Sequence, residues 1–300
     1  MSVVWIISDG KQGHYNQSLG LCEALQRLRP NLQVETLAPF TPYQNMILAM
    51  GLALPDEILA LHMQAPPSMI LCAGHSTHFT ALTLGWRLKV KTLVLMKPSF
   101  PTSWFDLCLI PSHDQPISAQ NIIATRGALN PMRPDSKKPN TGIILIGGPS
   151  KHHHWDEQRL FDQLNDILTK DQQDWLITTS RRTPDSTLNR LYALQNVTFV
   201  PHTKTPQGWL AEQLATTEYA WVTADSVSMV YEALTAGCAV GVLDVQERQS
   251  NRLTRGIQAL AEEGTITLYS QWTQKLQLSR SGVFNEADRC AEEILKRGWL

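Results

Sequence analysis

Short apolar runs of strand length recur along the chain, and segments with helical spacing of apolar residues separate them. The runs are apolar on both faces, which is typical of strands buried inside a parallel sheet. In the first half of the chain the pattern predicts helices over residues 19–28 and 77–88, and strands over 3–8, 32–37, 69–73, 91–96 and 107–110. This alternation predicts a doubly wound α/β sheet.

The pattern fails between residues 130 and 141 and then starts again. Pro131, Pro134 and Pro139 stand there among charged and polar residues, a composition typical of an exposed linker. Beyond it we predict strands over 142–146, 175–179, 197–200, 219–223 and 239–243. Helices are predicted over 156–168, 184–194, 206–214, 226–235, 253–261 and 287–295. The sequence therefore predicts two domains of one architecture, 1–133 and 142–283, with a linker at 134–141 and a C-terminal helix within 284–300.

Neither a signal peptide nor a membrane span is predicted. The first residues lack the basic segment and the long apolar core of a signal peptide. The apolar stretch over residues 46–63 is interrupted by Pro55, Asp56 and Glu57, so it falls short of the about 20 apolar residues that cross a bilayer. We expect a pair of short helices there.

Composition narrows the class of protein. A length of 300 residues fits about two average domains, and 18% charged residues is low for a disordered or coiled-coil chain. The 26 basic and 27 acidic side chains leave a net charge of −1, which argues against a nucleic-acid partner held by phosphate contacts. The 5 cysteines are widely spaced, which argues against a disulfide framework or a cysteine zinc site and fits a reducing, cytoplasmic compartment.

Polar residues gather where predicted strands end, and in open α/β sheets ligands bind beyond these carboxyl ends. Residues 8–14, Ser-Asp-Gly-Lys-Gln-Gly-His, follow the first strand. Their two glycines permit a tight turn with exposed backbone N–H groups, a geometry that binds an anion or a hydroxyl. A glycine turn that only caps a helix is the alternative. Residues 74–78, Gly-His-Ser-Thr-His, follow the third strand.

Three loops of the second half, 147–151, 180–183 and 224–228, carry donors for negative charge. The last loop opens a helix, whose free N–H groups and dipole favour phosphate. Glu232 lies one turn beyond Ser228 on the same face, where a carboxylate suits the two hydroxyls of a ribose. Taken singly, each loop is explained as well by helix capping and a solvated glutamate. Together they predict a nucleoside-diphosphate site of Gly147, Gly148, Ser150, Lys151, Arg181, Arg182, Ser226, Ser228 and Glu232.

Four motifs together resemble one known family over nearly the whole chain: residues 8–14, 147–151, 179–183 and 225–233. This is the Elm-type family, named for a plant mitochondrial-fission factor, whose bacterial members are classed as glycosyltransferases of the GT-B fold. The chain also resembles, more distantly, GT-B enzymes that transfer N-acetylglucosamine in peptidoglycan and lipid A assembly.

The resemblance implies two Rossmann-like domains facing a central cleft, with the last helix crossing back to the first domain. The second domain would bind the nucleotide-sugar donor, and the first domain the acceptor. In such enzymes a serine-bearing loop and a helix glutamate hold the donor's phosphates and ribose, roles that fall on Ser226, Ser228 and Glu232. The Gly147–Gly148 loop and the arginine pair at 181 and 182 would face the diphosphate.

The chemistry that this implies is sugar transfer without a metal or another cofactor. The sequence has no D-x-D triplet, the motif by which many GT-A enzymes hold a metal on the diphosphate. Fixed cations and helix dipoles must then neutralise the leaving group, and Lys151, Arg181 and Arg182 are of the right kind. The three histidines at 152–154 do not predict a metal site, because consecutive residues cannot all point at one ion.

An inverting transfer needs a base that removes the proton of the acceptor hydroxyl. His14 is the first candidate, since an unperturbed imidazole has a pKa of about 6.5 and the first glycine loop of the distant relatives commonly ends in a histidine. Residues 9–12 depart from those relatives, which have a run of glycines there. Asp9 and His75 are the next candidates, and a purely structural loop histidine is the alternative.

The sequence thus predicts a glycosyltransferase that moves a sugar from a nucleotide-diphosphate sugar to an acceptor that it does not identify. A GT-B scaffold that acts through a protein partner is the second hypothesis, and a nucleotide-sugar epimerase or hydrolase is the third. A basic cluster of Arg87, Lys89, Lys91 and Lys97 suits contact with an anionic membrane. That contact would make the protein peripheral on the inner face of a membrane and the acceptor membrane-associated, whereas a solvated face is the alternative.

Overall fold

Both halves of the chain fold as parallel sheets covered by helices. The structure is a computed structural model and describes residues 2–51, 55–249, 252–280 and 282–300, without the side chains of Arg252 and Leu253. It divides into two units. Unit 1 is Met1–Pro131 with Asn285–Leu300, and unit 2 is Met132–Phe284.

The sheet of unit 1 has six described strands: β1 (Val3–Ser8), β2 (Gln33–Leu37), β3 (Met69–Ala73), β4 (Lys91–Leu95), β5 (Leu107–Pro111) and β6 (Ile122–Thr125). All pairs are parallel, in the order β2-β1-β3-β4-β5-β6. Every residue of β3 and β5 is buried, as expected of strands that have helices over both faces of their sheet.

Helices cover both faces of this sheet: α1 (Gln12–Leu28), α2 (Pro42–Ala49), α3 (Asp56–Gln64), α4 (His78–Leu88) and, from the end of the chain, α11 (Glu286–Lys296). Successive strand residues point to opposite faces and so feed two hydrophobic cores. Val4 and Ile6 share one core with α1 and α11. Trp5 and Ile7 share the other with α2, α3 and α4.

The sheet of unit 2 has the strands β7 (Lys138–Ile146), β8 (Asp174–Thr179), β9 (Thr198–Val200), β10 (Thr217–Thr223), β11 (Ala239–Leu243) and β12 (Thr267–Leu268). They are parallel in the order β12-β11-β10-β7-β8-β9. The helices of this unit are α5 (Glu157–Lys170), α6 (Asp185–Tyr192), α7 (Trp209–Thr216), α8 (Val227–Thr235), α9 (Arg252–Glu262) and α10 (Tyr269–Lys275).

The α/β prediction and the return of the last helix are confirmed, because α11 shares the core of unit 1. The pair of short helices expected within 46–63 corresponds to α2 and α3, while residues 52–54 lie outside the described residues. Within the described ranges, no helix combines the length and apolarity needed to cross a bilayer.

The segment 134–141, predicted as a linker, is partly strand. β7 begins at Lys138, which pairs with Thr217 of β10. The preceding Lys137 donates its ammonium protons to the carbonyls of Leu214 and Ala236, at 2.9 and 2.6 Å. These contacts order a stretch whose prolines and charges are typical of exposed chain.

Candidate functional site

Each sheet has one point at which the order of its strands reverses. In unit 1 the chain passes from β1 to β2 on one side and returns to β3 on the other; in unit 2 it passes from β7 to β8 and returns to β10. Loops leaving the carboxyl ends at such a reversal form the usual ligand crevice of open α/β sheets. The candidate residues of unit 1 lie after β1 and β3, and those of unit 2 lie after β7, β8 and β10.

Asp9 and His14 form a hydrogen-bonded pair in unit 1. His14 lies in the first turn of α1, and its Nδ1 is 3.0 Å from both carboxylate oxygens of Asp9. The Asp9 side chain is 5% exposed and that of His14 is 25% exposed. Since a carboxylate only accepts, Nδ1 carries the proton and the lone pair stays on Nε2.

Further donors surround the Asp9 carboxylate. The backbone N–H of Lys11 donates to Oδ1 at 3.2 Å, and the Ser76 hydroxyl donates to Oδ2 at 3.4 Å. Burial acts to raise the pKa of Asp9, but the hydrogen bonds from His14 and Lys11 outweigh it and hold the pKa below its usual value. Asp9 is therefore a charged anchor for His14 rather than a second base.

Gly74 makes room for this pair. Its φ is +95°, and a Cβ added there would lie 2.3 Å from His14 Nδ1 and 3.1 Å from Asp9 Oδ2. Both the backbone conformation and the space require glycine at this position. Gly74, in the loop after β3, thus leaves space for His14 in the first turn of α1.

His75, the third catalytic candidate, is exposed and points elsewhere. Its Nδ1 is 2.6 Å from the Ser99 hydroxyl. The neighbouring His78 is buried, and burial lowers its pKa to about 4, with the nearby His75 and His14 lowering it further. The structure brings three histidines near one another but gives only His14 a carboxylate partner among the described residues.

Asp225 is the centre of the polar contacts in unit 2. Its side chain is 0% exposed, and its Oδ2 accepts from the Gly148 N–H at 3.1 Å and from Arg182 Nη2 at 2.6 Å. A Cβ added to Gly147 would lie 2.2 Å from the same carboxylate. The loops after β7, β8 and β10 therefore meet around this one buried charge.

Arg182 is occupied by these contacts. Its Nη1 donates to the Gly148 carbonyl at 2.7 Å, and its Nη2 donates to Ser226 Oγ at 2.9 Å as well as to Asp225. A Cβ on Gly148 would come within 2.2 Å of the Arg182 carbonyl oxygen. Both terminal nitrogens of the guanidinium are thus engaged by the protein, although the Arg182 side chain is 41% exposed.

The backbone groups of the glycine loop likewise make hydrogen bonds within the protein. The Gly147 N–H donates to Thr223 Oγ1 at 2.8 Å, and the Gly147 carbonyl accepts from Thr183 Oγ1 at 2.5 Å. Since the Gly148 N–H is taken by Asp225, neither N–H of the doublet is available to a diphosphate as the loop stands. Close packing of three loops explains why these two positions are glycine.

The start of α8 remains open to a ligand. Ser226 occupies the N-cap position, but its side chain makes no capping hydrogen bond, so the first N–H groups of α8 are not capped by it. Ser228 is exposed at the second helical position. One turn further, Glu232 is half-buried, and burial raises the pKa of its carboxyl to about 7. Among the described residues, no side chain and no backbone N–H makes a hydrogen bond to that carboxyl.

Two predicted cations of unit 2 are unpaired and one predicted hydroxyl is not free. Lys151 and Arg181 are exposed and have no carboxylate partner within the described ranges. Ser150 Oγ instead accepts from the N–H groups of His152 and His153, at 3.2 and 3.1 Å, and closes a turn. Of the three predicted cations, Lys151 and Arg181 are therefore unpaired among the described residues, whereas Arg182 is bound to Asp225 and Ser226.

The histidine tract is part of this turn. His153 is 3% exposed, its Nε2 has no partner, and burial lowers its pKa. In the part of the chain that the structure describes, no three His, Cys, Asp or Glu side chains are grouped closely enough to hold a metal ion.

A cavity of about 480 Å³ lies elsewhere in unit 2. Tyr219, Lys275 and Arg280 line it, together with Gln277, Leu278 and Ser279. Tyr219 stands near the amino end of β10, whereas Asp225 follows the carboxyl end. The cavity is therefore separate from the loops that carry the candidate residues.

The roles of Asp225, Thr223 and Thr183 were not predicted from the sequence. Each lies within or beside a quoted motif, but its importance depends on loops that are far apart in the chain. The signal that would have found them is the order of the strands, since a reversal between β7 and β10 puts residues 147 and 225 side by side.

Comparison with known proteins identifies the family of the chain and proteins that share its fold. The family model described as mitochondrial fission ELM1 matches residues 12–298. The uncharacterized protein RP120 of Rickettsia prowazekii (strain Madrid E) is 23% identical over 346 aligned positions, which cover 97% of each chain.

Two solved structures illustrate the likeness. UDP-GlcNAc 2-epimerase from Neisseria meningitidis, bound to UDP-GlcNAc, is 10% identical with a TM-score of 0.57 and 99% of each chain covered. UGT2 of Phytolacca americana, complexed with UDP-2-fluoro-glucose and pterostilbene, is 8% identical with a TM-score of 0.53, covering 99% of this chain and 94% of that one. At these identities the likeness is one of fold.

Proposed function

The chain belongs to the mitochondrial fission ELM1 family, whose model spans residues 12–298, and on that premise we propose that it is a glycosyltransferase of the GT-B fold. Unit 2 binds a nucleoside-diphosphate sugar at the loops after β7, β8 and β10. Its fold is shared with proteins solved with UDP-GlcNAc and with UDP-2-fluoro-glucose, which supports this class of donor.

The observation that carries the proposal is the unpartnered carboxyl of Glu232. A half-buried carboxyl with a pKa of about 7 is costly to ionise without a partner. The two neighbouring hydroxyls of a ribose would donate to both of its oxygens and stabilise the charged form. Glu232 lies one turn beyond Ser228 at the start of α8, so a ribose there would have its phosphates next to the helix N-terminus.

Phosphate is held in this proposal by groups other than the glycine doublet. The first N–H groups of α8 and the Ser228 hydroxyl face the diphosphate, and the exposed Lys151 and Arg181 supply positive charge. Arg182 acts on the phosphate site indirectly, because it holds Asp225 and Ser226 in place. These fixed cations do the work that a metal ion performs in other transferases.

The acceptor hydroxyl loses its proton to His14 Nε2 in this mechanism. As the oxygen of the acceptor bonds to the anomeric carbon, the bond from that carbon to the diphosphate breaks and the diphosphate leaves with the electron pair. Asp9 keeps the proton on Nδ1 and stabilises the imidazolium that forms. We expect His14→Gln to lower the rate by about 10²- to 10⁴-fold, whereas His75→Gln leaves most of the rate.

Calorimetric titration with UDP, GDP, ADP and CMP tests the donor site. We expect one nucleotide to bind, and we expect Glu232→Ala to abolish binding while Glu212→Ala, an exposed glutamate of α7, has no effect. Binding by none of the four nucleotides to folded protein would refute the donor site and favour a scaffold that acts through a protein partner. Product analysis with the matching sugar donor then separates transfer from epimerisation or hydrolysis.

A further inference from the structure

Helix α2 is apolar on the side that faces away from its sheet as well as on the side that faces it. Leu48 packs into the core of unit 1. Tyr43, Met46 and Met50 are nevertheless 67, 50 and 60% exposed. Their spacing of three and four residues puts them in one stripe along the outer side of the helix. An amphipathic helix at an ordinary protein surface would be polar there.

Helix α4 continues the same surface. It buries Ala81 and Leu84 and leaves Phe79 and Trp86 40 and 66% exposed. It packs on α2, where Thr83 Oγ1 donates to Asn45 Oδ1 at 3.2 Å. The two helices therefore belong to one layer, and their exposed stripes lie on its outer side.

Aromatic stacking extends this surface beyond the helices. The ring of Phe79 is stacked on Phe100 with centroids 6.1 Å apart, and Phe100 is stacked on Trp104 at 5.4 Å. Trp104 is 56% exposed. We call the six exposed side chains the outer apolar face: Tyr43, Met46, Met50, Phe79, Trp86 and Trp104.

The helices on the other side of the same sheet differ. Among the described residues, α1 and α11 leave only Leu28 exposed as a large apolar side chain, at 41%. Single exposed apolar residues are common on protein surfaces, but a group of six in one layer marks an interaction surface. The outer apolar face is thus a property of one side of unit 1.

The chemistry of the residues identifies the partner. Tryptophan and tyrosine have an apolar ring and a polar tip, and they are enriched where a bilayer meets water. Arg87 and Lys89 follow Trp86, are exposed, and have no carboxylate partner within the described ranges. The carboxylates near this face are Asp56 and Glu57 in the first turn of α3 and Asp106, which is paired with Lys91. Apolar aromatics beside unpaired cations suit a bilayer surface with anionic head groups.

We propose that unit 1 docks on the surface of an anionic phospholipid bilayer through the outer apolar face, with Arg87 and Lys89 contacting head groups. The apolar side chains enter the boundary between head groups and acyl chains. This docking does not depend on sugar transfer, so each proposal can fail without the other.

Sedimentation with vesicles tests the proposal on the full chain. Vesicles of 70% phosphatidylcholine and 30% phosphatidylglycerol are compared with vesicles of phosphatidylcholine alone. We expect the double change Trp86→Ser/Trp104→Ser to weaken binding to the anionic vesicles by roughly tenfold or more, since each change removes a large apolar contact. Arg87→Gln/Lys89→Gln should weaken it by about tenfold on anionic vesicles alone. Tyr192→Ser, at a 58% exposed tyrosine of unit 2, is the control.

Each outcome decides the proposal. Unchanged circular dichroism of the variants shows that they are folded, and brominated acyl chains should quench tryptophan fluorescence in the wild type but much less in the double tryptophan variant. Absence of wild-type binding, or equal binding by the double variant, overturns the docking. Light scattering that shows a dimer which the same variant dissociates would assign the face to a second copy of the chain instead.

Discussion

Arg182 Nη2 lies 2.6 Å from Asp225 Oδ2, and the Asp225 side chain is fully buried. The same guanidinium donates to the Gly148 carbonyl at 2.7 Å. One ion pair therefore joins the loops after β7, β8 and β10, the loops from which the candidate donor site is built. Its first role is to hold that site in shape.

Arg182→Gln should destabilise unit 2 because it leaves a buried carboxylate without a cation. Breaking a buried pair costs about 3–5 kcal/mol, and since the Arg182 side chain is 41% exposed, screening by water reduces our expectation to about 2 kcal/mol. Urea unfolding measures the change. The adjacent Arg181→Gln is the control and should leave stability within about 0.5 kcal/mol of the wild type. Equal stability of both variants would contradict the role of the pair.

Glu232→Gln should make stability depend less on pH. The folded protein raises the pKa of this carboxyl from 4.5 to about 7, so its contribution to stability is complete below pH 4.5 and is lost as the pH rises through 7. Glutamine has no proton to lose, so its side chain stays neutral at both pH values. We expect similar unfolding free energies near pH 4.5 and a variant more stable by on the order of 3 kcal/mol at pH 8.

Denaturant titrations at both pH values measure this difference. Glu212→Gln, at an exposed position of α7, should show no such divergence. A gap between Glu232→Gln and the wild type that is the same at both pH values would refute the buried-carboxyl explanation. Addition of the nucleotide that binds should reverse the order at pH 8, because a carboxylate accepts from both ribose hydroxyls, whereas glutamine has a single acceptor oxygen.

Gly74→Ala should both strain the backbone and disturb the Asp9–His14 pair. Gly10 is the matched control, since its φ of +74° is also positive but nothing lies within 4 Å of an added Cβ. Gly10→Ala should cost about 1 kcal/mol for the left-handed backbone. Gly74→Ala should cost about 1–3 kcal/mol more, because its methyl meets the His14 ring and because the ψ of 147° at Gly74 lies outside the left-handed helical region. Thermal unfolding and the imidazole NMR signals of His14 measure both effects, and equal costs at the two glycines would contradict the contact.

Asp9→Asn should lose stability at neutral pH but not in acid. Hydrogen bonds lower the pKa of Asp9 in the folded protein, so its stabilising contribution is present above the unfolded pKa of 3.8 and disappears as the pH falls through the lower folded value. Unfolding free energies at pH 7 and pH 3 measure the gap between variant and wild type. Asp56→Asn, in the first turn of the exposed start of α3, controls for the change of residue type. A gap at pH 3 as wide as at pH 7 would be the contrary result.

Much of the fold was predictable because buried parallel strands are apolar on both faces. β1, β3 and β11 were predicted to the residue, since each is a short and largely apolar run. β6 and β12, strands of 4 and 2 residues, were not predicted. The early start of β7 was missed because its first residues are polar and held by pairing with β10.

The candidate site was predictable in place but less so in detail. Strand ends followed by glycine, serine and arginine pointed to the right loops, while which group faces outward depends on contacts across the sheet. Arg181 and Arg182 are the same residue type and both are exposed, yet within the described residues only Arg182 is bound to a carboxylate, that of Asp225. Only the strand order, with β10 beside β7, brings that aspartate to the glycine loop.

The glycine doublet at 147 and 148 has a diagnostic consequence. Side chains are excluded there by Asp225 and Arg182, which are parts of the scaffold and not of a ligand. A relative that no longer binds a nucleotide-sugar donor would still need both glycines to keep its three loops together. The doublet is therefore a poor marker of activity in this family, and a survey for functional members should instead ask whether Glu232, Arg181 and Lys151 persist.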